Sequence, residues 1–426
     1  MTGTAAARAT VGGGARRFLT ALGPGLVTGA ADDDPSGIAT YSQVGAQFGY
    51  ALGWTMLFSY PLMVAIQIIA ARIGCISGYG IAENIRRHYP RWLLHGVVAL
   101  LLIANVINLG ADLGAMGAAL GLLIGGPLHL YTALFGLVCV LVQTYVSYAR
   151  FAKALKWATL SLFAYVAVAF AAHVSWTSVL FSTLLPHISL NASYATALVA
   201  LLGTTISPYL FFWQAGQEVE EQRRRQRKAL RHMAGVAAPE LARIRTDTMV
   251  GMAFSNVIAL CIIIAAAATL HAHGITDIQT SAQAAEALRP IAGEFTFELF
   301  ALGVIGTGML AVPVLAGSAA YAVSETFQWR EGLNRAPRDA KAFYATIALG
   351  MIGGVSLNFT ALDPIKALYW SAVVNGVLAS PLMVVMMIIG ANKHIMGALT
   401  LPPSLRVGGW LAASVMALAT AWMLLA

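Results

Sequence analysis

Two stretches decide the fold: Ala31-Asp32-Asp33-Asp34-Pro35-Ser36-Gly37 and Gly203-Thr204-Thr205-Ile206-Ser207-Pro208-Tyr209. Each sits inside an apolar run long enough to cross a bilayer, and each breaks that run with a proline and small polar residues. An aspartate at the centre of a spanning helix costs about 2.5–3.5 kcal/mol, so three in a row exclude lipid contact. Were the span to begin only after them, the apolar stretch from Phe18 to Ala31 would be stranded, too short to cross. The break therefore faces a cavity or a cation inside a bundle.

Outward from these stretches the chain is apolar almost throughout. Of 426 residues, 58% are hydrophobic and only 10% are charged, against roughly 25% charged in a soluble domain. That excludes a soluble globule, and equally a disordered chain, which needs low hydrophobicity and high net charge. The 41 glycines suit membrane helices. Cys75, Cys139 and Cys261 all lie in apolar runs and match no metal spacing. No cleavable signal is expected in the arginine-bearing N-terminal segment.

A membrane-crossing helix takes about 20 apolar residues. Eleven spans are expected, near 21–49, 52–76, 95–123, 129–149, 154–174, 194–217, 248–272, 296–322, 341–357, 365–391 and 407–425. All are read as helices, because lipid leaves no backbone group without a partner. Residues 1–20 form a cytoplasmic N-terminal segment and residues 21–426 one transmembrane domain. With the N-terminus inside, 24 of the 26 Lys and Arg fall on the cytoplasmic side, leaving only Arg289 and Lys366 outside. This is the segregation that membrane insertion imposes. It places the C-terminus outside and suggests the inner membrane of a prokaryote. The net charge of +8 is then a matter of topology and anionic-lipid contact, not of nucleic acid.

Pro35 and Pro208 are 173 positions apart, which is five spans. A broken first helix recurring in the sixth marks two inverted five-helix repeats, about 21–174 and 194–391, with the substrate at the midplane between the breaks. The span at about 407–425 is an addition. The fold class is thus an all-α polytopic membrane protein. Unwound backbone, Asp34, Thr204 and Ser207 supply only oxygen, and no Cys, Met or His lies in either break. Such a donor set favours magnesium or manganese over thiophilic metals.

Further motifs are Gly23-Pro24-Gly25, Asp34-Pro35, Asp112-Leu113-Gly114, Asp247 through Asn256, and Met396-Gly397. Together with the second break they resemble the Nramp family of divalent-metal transporters from about residue 20 onward. The resemblance implies the LeuT-type fold, with metal held between spans one and six. Three departures accompany it. The family's Asp-Pro-Gly-Asn reads Asp34-Pro35-Ser36-Gly37, its Met-Pro-His reads Ser207-Pro208-Tyr209, and its Asp-Leu-Ala-Glu reads Asp112-Leu113-Gly114-Ala115. A soft ligand and a titrating glutamate are lost together. This pattern resembles the Nramp-related magnesium transporters, a divergent branch.

The expected ion ligands are therefore Asp34, Gly37, Thr204 and Ser207. Asp33, Asp112, Tyr209 and Asn375 are candidates for the ion path or its surroundings, with Tyr209 read mainly as filling the former histidine space. Smaller residues at 37 and 207 are expected to leave room for a hydrated ion. No enzyme activity and no resident cofactor are expected: the cation is cargo. The alternatives are a proton-coupled manganese, broad divalent or trivalent carrier, a non-transporting sensor on this fold, and an amino-acid carrier. The last would need an anion site where three aspartates stand. A sensor would carry a signalling domain, and none is expected from a chain ending at Ala426. The oligomeric state is left open.

Overall fold

The computed structural model describes residues 24–146, 161–172, 174–225, 229–232, 234–359 and 363–426. The N-terminal segment and the basic residues Arg8, Arg16, Arg17, Arg150, Lys153 and Lys156 lie outside the described residues. Every element among the described residues is helical.

Among the described residues, eight helices are long and apolar enough to cross a membrane. The other three expected spans are also located. Span one is split into Pro24–Asp32 and Pro35–Phe48, each half too short to cross alone. Span nine is the apolar helix Lys341–Leu357. Span five is described over Phe163–Ala171. Span six is one crossing made of two helices, Ala192–Thr205 and Pro208–Arg224. Both interruptions fall where the sequence placed them, because a proline opens each second half at a position that needs no helical N–H donor.

The bundle is held by backbone contact at glycines. A Cβ on Gly29 would run into the Gly251 backbone of span seven. One on Gly203 would strike the Ala372 carbonyl and the Gly376 amide of span ten. Gly110 and Gly354 bring spans three and nine equally close, with each backbone amide or carbonyl 2.9 Å from the other residue's Cβ position. Small residues let membrane helices approach in this way where no hydrophobic force drives them together.

The basic loops gather at one end of the bundle. Arg72, closing span two, donates to the Leu399 carbonyl before span eleven (3.0 Å). Asn392, after span ten, donates to Tyr89 ahead of span three (3.1 Å). Arg223 pairs with Glu331 of the loop between spans eight and nine (3.3 Å). Arg243 of span seven pairs with Glu218 of span six (2.6 Å), Glu240 (2.7 Å) and Asp247 (3.7 Å). Asp247 also accepts the Gly25 amide of span one (2.9 Å). We call this end the basic face. Arg289 pairs with Glu286, and Lys366 lines a cavity at the opposite end.

Two predictions follow from this packing. Gly203→Ala overpacks the contact between spans six and ten and costs about 1–3 kcal/mol, whereas Gly96→Ala, with open space around it, costs nothing measurable. Thermal unfolding in detergent reads both. In the basic-face loop, burial pushes the Glu331 carboxyl up to about 7 against the pull of Arg223. The folded state therefore binds the extra proton, and stability falls as pH rises from the ordinary glutamate range to about 7. Glu331→Gln flattens that part of the pH–stability profile.

Candidate cation site at the paired helix breaks

Asp34 is the last residue before the second half of span one and acts as its N-cap. Its Oδ1 accepts the Gly37 amide and the Ser36 hydroxyl, both at 2.7 Å. A carboxylate is favoured here because the first amides of a helix lack partners and carry partial positive charge. Its Oδ2 accepts the Tyr209 hydroxyl from span six at 3.1 Å. The same hydroxyl reaches the Ala31 carbonyl, also at 3.1 Å. Tyr209 therefore ties span six to both sides of the span-one break.

Gly37 does not open the room expected of it. A Cβ there would lie 3.3 Å from the Asp32 carbonyl, from Thr204 Oγ1 and from Tyr41 Cε2. The glycine lets span one close onto span six. Ser207 donates to the carbonyls of Gly203 (3.0 Å) and Thr204 (2.8 Å). Its proton thus serves the end of the preceding half-helix, and its oxygen lone pairs stay available. Thr204 Oγ1 is buried beside Tyr41.

The neighbouring aspartates are buried beside it. Ser255 of span seven donates to Asp32 Oδ2 (2.7 Å) and Asp33 Oδ1 (3.0 Å). One hydroxyl proton cannot serve two carboxylates fully. Asp32 Oδ1 and Asp33 Oδ2 have no partner among the described residues, whereas the Asp112 carboxylate faces the Ser36 amide at the break. Asp112, on span three, lies within the electrostatic reach of Asp34. None of Asp32, Asp33, Asp34 and Asp112 is more than 2% exposed. None takes part in an ion pair among the described residues. Asn375 of span ten is buried, with neither amide atom partnered among the described residues. It stands next to the glycine contact between spans six and ten.

On the face opposite the basic loops a vestibule of about 570 Å³ opens, lined among others by Gln43, Gln47, Asp277, Lys366 and Trp370. Below it lies a cavity of about 10 Å³ between Pro35, Ala115, Val304 and Leu368. One water needs about that much space. The break is thus closed from the vestibule in this conformation.

A match to the family described as "Natural resistance-associated macrophage protein-like" (Nramp) covers residues 25–426. The chain belongs to the Nramp family. This is a family of membrane metal transporters, not of enzymes. The Nramp chain is similar to the divalent metal cation transporter MntH of Klebsiella pneumoniae (strain 342), 26% identical over 95% of this chain and 94% of that one. It is also similar to the MntH of Verminephrobacter eiseniae, 28% identical over 84% and 82%. Its fold resembles the Eremococcus coleocola manganese transporter, with a TM-score of 0.74, 18% identity and coverage of 95% and 86%. It also resembles Mhp1, a nucleobase-cation-symport-1 family transporter, at 0.61, 15% identity and coverage of 94% and 92%. These likenesses bear out the LeuT-type architecture with its two inverted repeats.

Within this Nramp fold, the sequence reading brought Asp34, Gly37, Thr204, Ser207 and Tyr209 to one place. It did not single out Ser255, Tyr41 or Met116. Ser255 falls inside the Asp247-to-Asn256 motif, which gave it no role of its own. Met116 of span three lies against the break, for a Cβ on Gly308 would be 2.6 Å from its sulfur and 3.2 Å from Pro35 Cγ.

Tyr209→Phe leaves Asp34 Oδ2 and the Ala31 carbonyl without their donor. The expected loss is about 1–3 kcal/mol of stability, read by thermal unfolding against Tyr344→Phe, whose hydroxyl donates to Arg335 outside the spans (3.0 Å).

Proposed function

We propose that this Nramp protein carries a divalent cation, magnesium by preference and largely hydrated, by alternating access around the paired breaks. One observation carries the reading: four buried carboxylates surround the span-one break, and no cationic side chain among the described residues pairs with them. Burying such a charge without a counterion costs several kcal/mol. A cation as cargo removes that cost.

Asp34 contacts the ion or its water through the lone pairs its three donors leave free. Thr204 Oγ1, Ser207 Oγ and the backbone beside Gly37 face the ion's water shell. Magnesium keeps several of its waters, so the small closed cavity has to widen as the break opens. Asp33, Asp112 and Asn375 line the route. Tyr209 holds the two breaks together and releases or keeps Asp34 as the halves rock. The N-terminus is assigned to the cytoplasm and the C-terminus to the outside of a prokaryotic inner membrane, from the placement of Lys and Arg. Anionic lipid meets the basic face there.

No proton need be coupled. Ala115 stands where the family's titrating glutamate would be. Two charges crossing 100 mV gain about 4.6 kcal/mol, which sustains roughly a thousandfold gradient. A second reading, manganese or broad divalent transport with protons, is favoured by the Met116 thioether beside Pro35 and by the names of the relatives. In that case Met116→Leu selectively lowers manganese uptake.

The test is uptake into proteoliposomes under an imposed voltage, with and without a pH gradient. Magnesium flux that follows voltage, ignores pH and vanishes in Asp34→Ala is the expected result. Manganese flux driven by the pH gradient would replace magnesium with the second reading. No divalent flux at all would sink both.

A further inference from the structure

The connector between spans five and six is turned inside out relative to a water-exposed surface. It contains the helix Trp176–Leu184 and lies at the end of the bundle opposite the basic face. A Cβ on Gly53, just ahead of span two, would be 3.3 Å from Thr183 Oγ1, and the far end of span two carries Arg72. Val179, Ser182 and Thr183 stand at i, i+3 and i+4 and form the face that the bundle covers wholly or in part. Two of the three are polar. Trp176, Leu180, Phe181 and Leu184 point the other way, with Leu185 and Ile188 after them, and these six are between 46% and 64% exposed. The outward stripe admits one short polar residue, Thr177. A helix on a protein in water carries its apolar stripe toward the core. Here the stripe faces outward.

The connector is tied in place. Trp54 Nε1 of span two donates to the Tyr194 hydroxyl (3.1 Å), which donates to the His187 carbonyl (2.5 Å). Its apolar face also continues a surface that meets lipid. Trp176 packs on Phe170 of span five, ring centroids 5.2 Å apart, and Phe170 is itself exposed. Nine residues make about 14 Å of helix, too short to cross. The non-helical backbone from Leu185 to Asn191 cannot be surrounded by hydrocarbon. The segment therefore belongs at the boundary between lipid and water. No Asp, Glu, Lys or Arg occurs between Lys156 and Glu218, so no side-chain ion pair with lipid head groups holds it there.

We propose that this connector is an interfacial anchor whose partner is the bilayer leaflet opposite the basic face. The helix lies flat, with Leu180, Phe181 and Leu184 in the acyl boundary and Ser182 and Thr183 toward the protein. Trp176, with an apolar ring and one N–H donor, sits at head-group level. The anchor needs no anionic lipid, because it lacks the basic residues through which such helices attract it. Through Gly53 and Trp54 it fixes the depth of the turn that joins span one to span two.

The experiment is power-saturation electron paramagnetic resonance of spin-labelled Leu180→Cys, Phe181→Cys and Leu184→Cys. Each is made in full-length protein with Cys75, Cys139 and Cys261 replaced by serine, in phosphatidylcholine vesicles. Glu294→Cys, exposed in the loop between spans seven and eight, marks water. Leu418→Cys, exposed on span eleven, marks hydrocarbon. The expected ratio of oxygen to nickel-chelate accessibility lies severalfold above that of Glu294→Cys, toward that of Leu418→Cys, and is unchanged by added phosphatidylglycerol. Labels that match Glu294→Cys overturn the anchor. Labels shielded from both reagents place a second copy of the chain over the face and overturn it too. A ratio that rises only with phosphatidylglycerol overturns the apolar boundary as the partner. Should the serine background fail to fold, Trp176→Phe in the otherwise native chain decides. Quenching of tryptophan emission by phosphatidylcholine brominated near the head group then falls, and unchanged quenching overturns the proposal.

Discussion

The Asp34 carboxylate, bonded on one side to the Gly37 amide and on the other to the Tyr209 hydroxyl, is the contact on which the rest depends. A helix interrupted in a membrane leaves amides and carbonyls that lipid cannot satisfy. Asp34 satisfies the amides that open the second half of span one. Tyr209 satisfies the Ala31 carbonyl at the end of the first half. Ser207 does the same for the end of the first half of span six. Each break is thus closed by side chains from itself or from the other break. The same arrangement collects carboxylates in one place. Negative charge there is both the structural solution and the attraction for a cation.

Much of the fold was legible because membrane insertion writes strong signals. Apolar runs gave the spans, proline with small polar residues gave the breaks, and the Lys and Arg gave the face. Span nine and the two halves of span one were read correctly although none is long enough to stand as a crossing by itself. The site was legible in part. Asp34, Thr204, Ser207 and Tyr209 could be named because each lies in or beside a break. Ser255 and Met116 could not, because they reach the break from spans seven and three, about 222 and 81 positions from Asp33 and Pro35 along the chain. Gly37 was legible as a residue and misread as space. Only the packing shows that Thr204 and Tyr41 have moved up to it.

The basic face shows how little of the ionic pairing a sequence declares. Arg243 stood in the sequence as one positive charge among many. In the structure it draws Glu218 of span six, Glu240 and Asp247 to one guanidinium, and Asp247 in turn holds the start of span one. Three segments separated by up to 222 positions meet there. The five donors of a guanidinium in a fixed fork explain why arginine and not lysine can serve so many partners.

Apart from the bonds of Ser255 and Asp247, much of the contact between span one and span seven is made at backbone level. Gly25 lies against Thr248, Gly29 against Gly251 and Gly45 against Ile263 and Ala266. Interlocked side chains would have to leave their rotamers before either helix could shift. Two smooth surfaces meet no such steps. Span one can tilt along span seven as a shaft turns in a plain bearing, with friction set by a few hydrogen bonds at its ends. A single methyl group on that surface would act as grit: it would slow the motion in both directions while leaving the ion's ligands untouched.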